Sequence, residues 1–319
     1  MEAQHKHFRE STLLKSIKSF LLFLPLTFLL ACSSATPTPP GAVVDDLGRS
    51  VSIVNEPQRI ISLAPSNTEI LFSLGLGDKV VGVTDYCNYP PEALNKTKIG
   101  GFSTPDIEKI VALQPDLILA ADIDKTEVIP ALEGHGLTVF ALDPKDLDGI
   151  LKDISMVGKI TGKEKEANEL VTQMGNRIRA ITDKTKNLEE RPRVFYITFH
   201  NPLWTVGVGS FIHELVDKSG GVNIFQDIAG NKAVNIELVI ARNPEVIIAS
   251  TGHGAAGGQP FEWAKTESRL QATEARKNNR IYEIDADLVS RSGPRIVDGL
   301  EWLAYFIHPE IFGEPGVVR

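Results

Sequence analysis

The sequence predicts an α/β protein of two related lobes, each with a mostly parallel sheet, joined by one long backbone helix. Three observations carry this. The stretch IEKIVALQPDLILA, Ile107 to Ala120, returns 129 residues later as IELVIARNPEVIIA, Ile236 to Ala249, with six of fourteen positions identical. Short apolar runs alternate with helical patterns around each copy, the order that builds parallel sheets through right-handed crossovers. Between the two halves, KEKEANELVTQMGNRIRAITDKT (Lys163 to Thr185) places Ala167, Leu170, Val171, Met174, Ile178 and Ile181 at helical spacing, with mostly charged residues elsewhere.

The elements follow in chain order. Residues 1–31 read as an export signal: Lys6, Arg9, Lys15 and Lys18 form a positive start, and Phe20 to Leu30 is an apolar core too short for a comfortable membrane span. The signal ends in Leu29-Leu30-Ala31-Cys32, which resembles the lipobox of bacterial lipoproteins, so Cys32 is the expected lipidation site. A polar, Pro-rich stretch, SSATPTPPG, then reads as a tether within a lead-in segment of residues 32–57. The first lobe is expected over 58–143, a linker containing the backbone helix over 144–189, and the second lobe over 190–319.

Within the first lobe, RIISLAP and KVVGVTD read as strands around the helical NTEILFSLG. In the repeated segment Ile107, Ile110 and Val111 share a helix face, Gln114-Pro115 ends that helix, and DLILA is a continuous apolar run suited to a strand buried on both faces. LTVFALD supplies a further strand. The second lobe repeats these steps with RVFYITF, SFIHELVDKSG, IELVIAR, EVIIA and RIYEIDAD.

Composition excludes several functions. A chain of 319 residues with 42% apolar content can bury two cores of ordinary size. Its 41 acidic residues outnumber 33 basic ones, with no Lys/Arg block to neutralise phosphates, so nucleic acid is not an expected partner. Removing residues 1–31 leaves 29 basic against 39 acidic residues, a charge of −10. After Cys32 only Cys87 remains, so no intrachain disulfide is available and Cys87 reads as a small, partly buried hydrophobe. No G-x-S-x-G elbow, H-E-x-x-H or P-loop occurs, and the protein is not expected to be an enzyme.

RIISLAPSNTEILFSLGLGDKVVGVTDYCNYPPEA, KIGGFSTPDIEKIVALQPDLILA, SGGVNIFQD and NIELVIARNPEVIIAS together resemble the substrate-binding proteins of ABC importers for cobalamin, haem and ferric siderophores. The resemblance covers about Arg59 to Phe312. It implies two Rossmann-like lobes, a ligand held between them, and delivery to a permease with its ATPase. APSNTE and DYCNYPPEA bring the chain nearest to the cobalamin binders. The ligand implied is a cobalt corrinoid, with haem or a ferric siderophore as alternatives. No metal or cofactor of the protein's own is expected, and the protein is expected to be a monomer outside the cytoplasm, anchored by lipid to a bacterial membrane.

In open parallel sheets ligands bind beyond the carboxyl ends of the strands. The candidate contacts are therefore Ser66 and Asn67 after the first strand, Asp85, Tyr86 and Tyr89 after the second, Phe102 in the GGFS loop, and Asp122 after DLILA. From the second lobe come His200, Asn201, Leu203 and Trp204, the glycine-rich TGHGAAGG, and Arg291 and Arg295 in DLVSRSGPR. Tyr86, Tyr89, Phe102 and Trp204 are expected to converge on one crevice able to bury the faces of a flat macrocycle. Ser66 and Asn67 are also expected to cap a helix that begins at Thr68. His200 is a candidate metal ligand, although a His at a strand end more commonly serves a structural hydrogen bond. Two guanidiniums at Arg291 and Arg295 suit an anionic ligand and keep a ferric siderophore open.

The resemblance implies one surface glutamate per lobe that meets the permease. By position these are Glu127, after DLILA, and Glu262, after EVIIAS. Glu108 and Glu237 sit in the first turns of the repeated helices, where negative charge favours the helix start.

Overall fold

A computed structural model describes residues 42–252 and 259–314. Its first sheet has five parallel strands in the order Thr97–Lys98, Val80–Val83, Ile60–Ser62, Leu117–Ala121, Val139–Leu142. The second has four, in the order Val222–Asn223, Arg193–Ile197, Val246–Thr251, Ile281–Asp285, also parallel. The α/β class and its mostly parallel sheets are as the sequence predicts.

The duplicated segment occupies the same place in both sheets. Leu117–Ala121 and Val246–Thr251 each pair with the strand that opens their lobe and with the one that closes it. The preceding helices, Ile107–Ala112 and Ile236–Arg242, start on side-chain caps from Asp106 and Asn235 and carry Glu108 and Glu237 in their first turns. Just beyond each helix the chain turns through a left-handed residue directly before proline, Gln114 (φ 48°) and Asn243 (φ 44°). The proline forbids continuation of the helix, and the left-handed residue redirects the backbone into the strand.

Burial on both faces explains the continuous apolar runs. Leu117 and Leu119 belong to one core cluster, and Ile118 and Ala120 to another on the opposite face. In the second sheet Val246 and Ile248 face one core while Ile247 and Ala249 face another. One of these clusters is continuous from Leu117 to Ile248 through Ile154, Met174 and Leu300. At roughly 1.5–3 kcal/mol for each large side chain removed from water, that shared core is the main apolar tie between the lobes.

The long backbone helix runs from Glu164 to Thr185, and Ala167, Met174 and Ile181 on its predicted stripe are buried. A second helix, Leu147–Ile160, precedes it. The two approach so closely that a Cβ placed on Gly158 would lie 2.4 Å from that of Ala167. Arg177 binds the backbone helix to the helix Ile296–Ile307 of the second lobe, reaching Asp298 at 2.6 Å and Glu301 at 2.7 and 2.8 Å.

Two antiparallel additions flank this frame. Ala42–Val44 pairs with Ser50–Ser52 and is latched to the first sheet, where the Asp143 amide donates to Asp46 and the Asp46 amide donates to the Ala141 carbonyl. In the second lobe Phe199–His200, Leu203–Val206 and Asn231–Ala233 form a small sheet where the sequence suggests only a strand end and a loop. Among the described residues no helix is long and apolar enough to cross a membrane.

Candidate ligand-binding cleft

In the first sheet the chain proceeds outward one way from Ile60–Ser62 and then resumes on its other side at Leu117–Ala121. This is a topological switch point, where the loops leaving neighbouring strands diverge and open a crevice. The residues that follow those two strands, Pro65 and Ser66, and Asp122 and Ile123, line a cavity of about 580 Å³. Tyr86, Phe102 and Asp143 extend its first-lobe wall. The second lobe closes it with Phe211, Asp287, Ser290, Arg291 and Ser292. The cavity therefore lies between the lobes, with aromatic rings from both.

The structure brings Ser66, Tyr86, Phe102, Asp122 and Arg291 together and leaves the other candidates outside this lining. The helix expected from Thr68 begins at Pro65, with Ala64 before it and no side-chain cap. Proline supplies the helical φ at that position and lacks the N–H a cap would serve. Ser66 thus faces the cavity without a capping role. Asn67 is buried and donates to the Ala120 carbonyl at 3.0 Å, tying the helix to the neighbouring strand.

The expected convergence of four aromatics is corrected to two. Tyr89 is 40% exposed, but the Arg295 guanidinium lies 3.9 Å from its ring centroid, and the ring lines a separate hollow with Phe72 and Lys96. Attraction of the cation to the ring face accounts for that placement. Trp204 is held in the small antiparallel sheet opposite Phe199 and Ala233 and does not line the cavity. His200 and Leu203 pair in the same sheet and line a different hollow with Trp263 and Arg269. Among the described residues His200 Nδ1 is buried without a hydrogen-bond partner. Asp85 is exposed and outside the cavity lining. Cys32 and the stretch from His253 to Gly258 fall outside the described residues.

The two arginines are engaged within the protein. Glu69, on the helix Pro65–Ser73, is 1% exposed and receives Arg295 through Nε at 3.0 Å and Nη2 at 2.6 Å. Its Oε1 also receives Arg291 Nη1 at 3.2 Å. Arg291 Nη1 donates further to Asn88 Oδ1 at 2.8 Å, and Nη2 meets Asp287 at 2.7 Å and the Tyr86 carbonyl at 3.4 Å. Burial opposes the charge of Arg295, yet the hydrogen bonds and attraction of Glu69 outweigh it and raise its pKa. The anion site expected from two free guanidiniums is thus an ion cluster that closes the two lobes on each other.

Sequence reasoning missed Glu69, Phe211 and Asp143. Glu69 sits 222 and 226 positions from its partners, and a single sequence holds no signal for a pairing at that range. Behind the cavity wall, Asp124 is fully buried; its Oδ2 accepts from the Ala121 amide at 2.9 Å and its Oδ1 has no partner among the described residues. Burial pushes its carboxyl up to about 6.

Residues 60–288 match the family described as periplasmic binding protein. The chain belongs to that family. It is 35% identical over 283 residues to the ABC transporter substrate-binding lipoprotein YvrC of Bacillus subtilis, covering 86% of this chain and 88% of that one. The crystal structure of the vitamin B12-binding protein BtuF of Vibrio cholerae superposes with a TM-score of 0.69 at 30% identity, over 79% of this chain and 97% of that one. The haem-binding protein RhuT of Roseiflexus sp. RS-1 superposes with a TM-score of 0.71 at 25% identity, over 79% and 98%. All three are named as binding proteins, and the two solved structures share the fold of this chain.

Glu69→Ala leaves two largely buried guanidiniums short of a counter-charge, and is expected to lower stability by about 3 kcal/mol in urea unfolding. Glu69→Gln, which keeps the shape and one acceptor, should lose less. A loss below about 0.5 kcal/mol in the alanine variant would remove the cluster from the ties that hold the lobes.

Proposed function

We propose that this protein is the extracytoplasmic, lipid-anchored binding component of an ABC importer, and that it captures cobalamin or a related corrinoid between its lobes. The observation that carries the reading is the inter-lobe cavity at the switch point, walled by Tyr86 and Phe102 from one lobe and Phe211 from the other. Such rings offer apolar faces to a flat macrocycle, while Ser66, Ser103, Ser290 and Ser292 offer hydroxyls to its polar edge. Relatives named for vitamin B12 binding support the choice of ligand.

The test is a binding titration followed by calorimetry and visible absorption, with cyanocobalamin and haemin as separate probes. One cyanocobalamin per chain is expected. Truncating a well-buried aromatic at a binding site costs about 2 kcal/mol, so Phe102→Ala should weaken that binding roughly thirtyfold. Tight haemin binding with no corrinoid binding would overturn the ligand assignment and favour a haem carrier.

The anchor rests on Leu29-Leu30-Ala31-Cys32 and the tether after it. Acyl chains contribute about 0.8 kcal/mol per buried CH₂, so Cys32→Ala is expected to move the cleaved protein from the membrane to the soluble fraction. Persistence of that variant in washed membranes would refute lipidation at Cys32.

Glu127 and Glu262 are proposed as the permease contacts, one on each lobe. Both are exposed; Glu127 stands at the start of the helix Val128–Gly134, and Glu262, in Gln259–Thr266, pairs with Lys265 of its own helix at 3.5 Å. Reversing both charges should leave ligand affinity unchanged and abolish ligand-stimulated ATPase activity of the reconstituted importer. Stimulation that survives the double reversal at low salt, where rim charges act most strongly, excludes them.

A further inference from the structure

Taking the inter-lobe cavity as the binding site, we infer that it selects neutral or cationic ligands over anionic ones, and that Asp122 sets this preference. Three carboxylates stand on the cavity wall, Asp122, Asp143 and Asp287, and among its described lining residues Arg291 is the only basic one. That arginine has little left to offer. Its Nη1 donates to Glu69 and Asn88, and its Nη2 faces Asp287 and the Tyr86 carbonyl. A propionate, catecholate or phosphate is recognised best by a pair of free, parallel N–H groups, and here that pair is occupied.

The carboxylates differ from one another. Asp287 is neutralised by Arg291, and Asp143 is paired with Lys145. Asp122 is exposed at the end of the strand Leu117–Ala121; its backbone carbonyl accepts from the Lys125 amide, and among the described residues its carboxylate has no hydrogen-bond or ion-pair partner. Its carboxylate is the one unpaired charge on the described wall. A ligand seated against Phe102 and Phe211 displaces water from that wall, which weakens screening and strengthens the interaction with Asp122 in either sign. A ligand carboxylate is then repelled, whereas an amide N–H or a positive charge is accepted. The ligand class that fits is a metallated macrocycle whose edge ends in amides or cationic groups.

The experiment compares wild type, Asp122→Asn and Asp122→Lys at low ionic strength, each confirmed folded by its thermal transition. The probes are cyanocobalamin, its monocarboxylate derivatives in which one side-chain amide is hydrolysed, and haemin, a dicarboxylate. For wild type, at least one monocarboxylate is expected to bind tenfold or more weakly than cyanocobalamin, and Asp122→Asn should reduce that ratio to threefold or less. Haemin affinity should rise at least fivefold in Asp122→Asn and further in Asp122→Lys. Equal binding of the amide and all its acids by wild type overturns the preference, and a ratio unchanged in Asp122→Asn overturns the role of Asp122. If no corrinoid binds, the ligand assignment fails by itself and the haemin series still decides. Haemin affinity that does not move across the three proteins overturns the inference.

Discussion

A buried carboxylate cannot stay ionised alone, and in this protein the partners of Glu69 come from the other lobe. The desolvation cost of a charge at 1% exposure is met by three hydrogen bonds from Arg291 and Arg295, one of them gripping both carboxylate oxygens. Several features follow from that pairing. It holds the helix Pro65–Ser73 against the segment after Ile281–Asp285, and so brings Ser66 and Ser292 to one cavity. It draws Arg295 beneath the Tyr89 ring and thereby takes that ring out of the cavity wall. With Asn88, Asp287 and the Tyr86 carbonyl, it engages both terminal nitrogens of Arg291, which gives the wall its acidic balance.

The two lobes are further joined through their shared core and through Arg177, which ties the backbone helix to Asp298 and Glu301. A binding protein with such ties has a largely preformed site, and preorganisation spares the ligand part of the ordering cost of association. Movement between the lobes must stretch or exchange these ion pairs, so the expected motion is a modest adjustment about the helical bridge rather than a wide opening.

The duplicated segment shows how similar halves take different roles. Both copies build a helix, a left-handed turn before proline and a central strand. Each central strand lies at the switch point of its own sheet, and the first copy delivers Asp122 and Ile123 directly to the cavity. In the second lobe a small antiparallel sheet is inserted after the first strand, and it carries His200, Leu203 and Trp204 to other surroundings. Among the described residues the second lobe reaches the cavity through the start of the helix Phe211–Lys218 and the segment from Asp287 to Ser292.

The sequence by itself determined the class, the repeat, the backbone helix and the strands of both parallel sheets other than the edge strands Thr97–Lys98 and Val222–Asn223, because periodicity, caps and Pro-turns act within a few residues of one another. It also located much of the first-lobe wall, since a parallel strand exposes whatever follows its carboxyl end, as Ser66, Tyr86, Phe102 and Asp122 show. Only the tertiary structure decided which aromatic rings meet and which charges are free. Tyr89 and Trp204 are equally plausible wall residues until a guanidinium covers one and a neighbouring strand holds the other. Arg291 and Arg295 read as an anion site until Glu69 arrives from more than 220 residues away. The physical reason is range: local backbone preferences are written in adjacent residues, whereas desolvation and ion pairing depend on what the folded chain brings within a few ångströms.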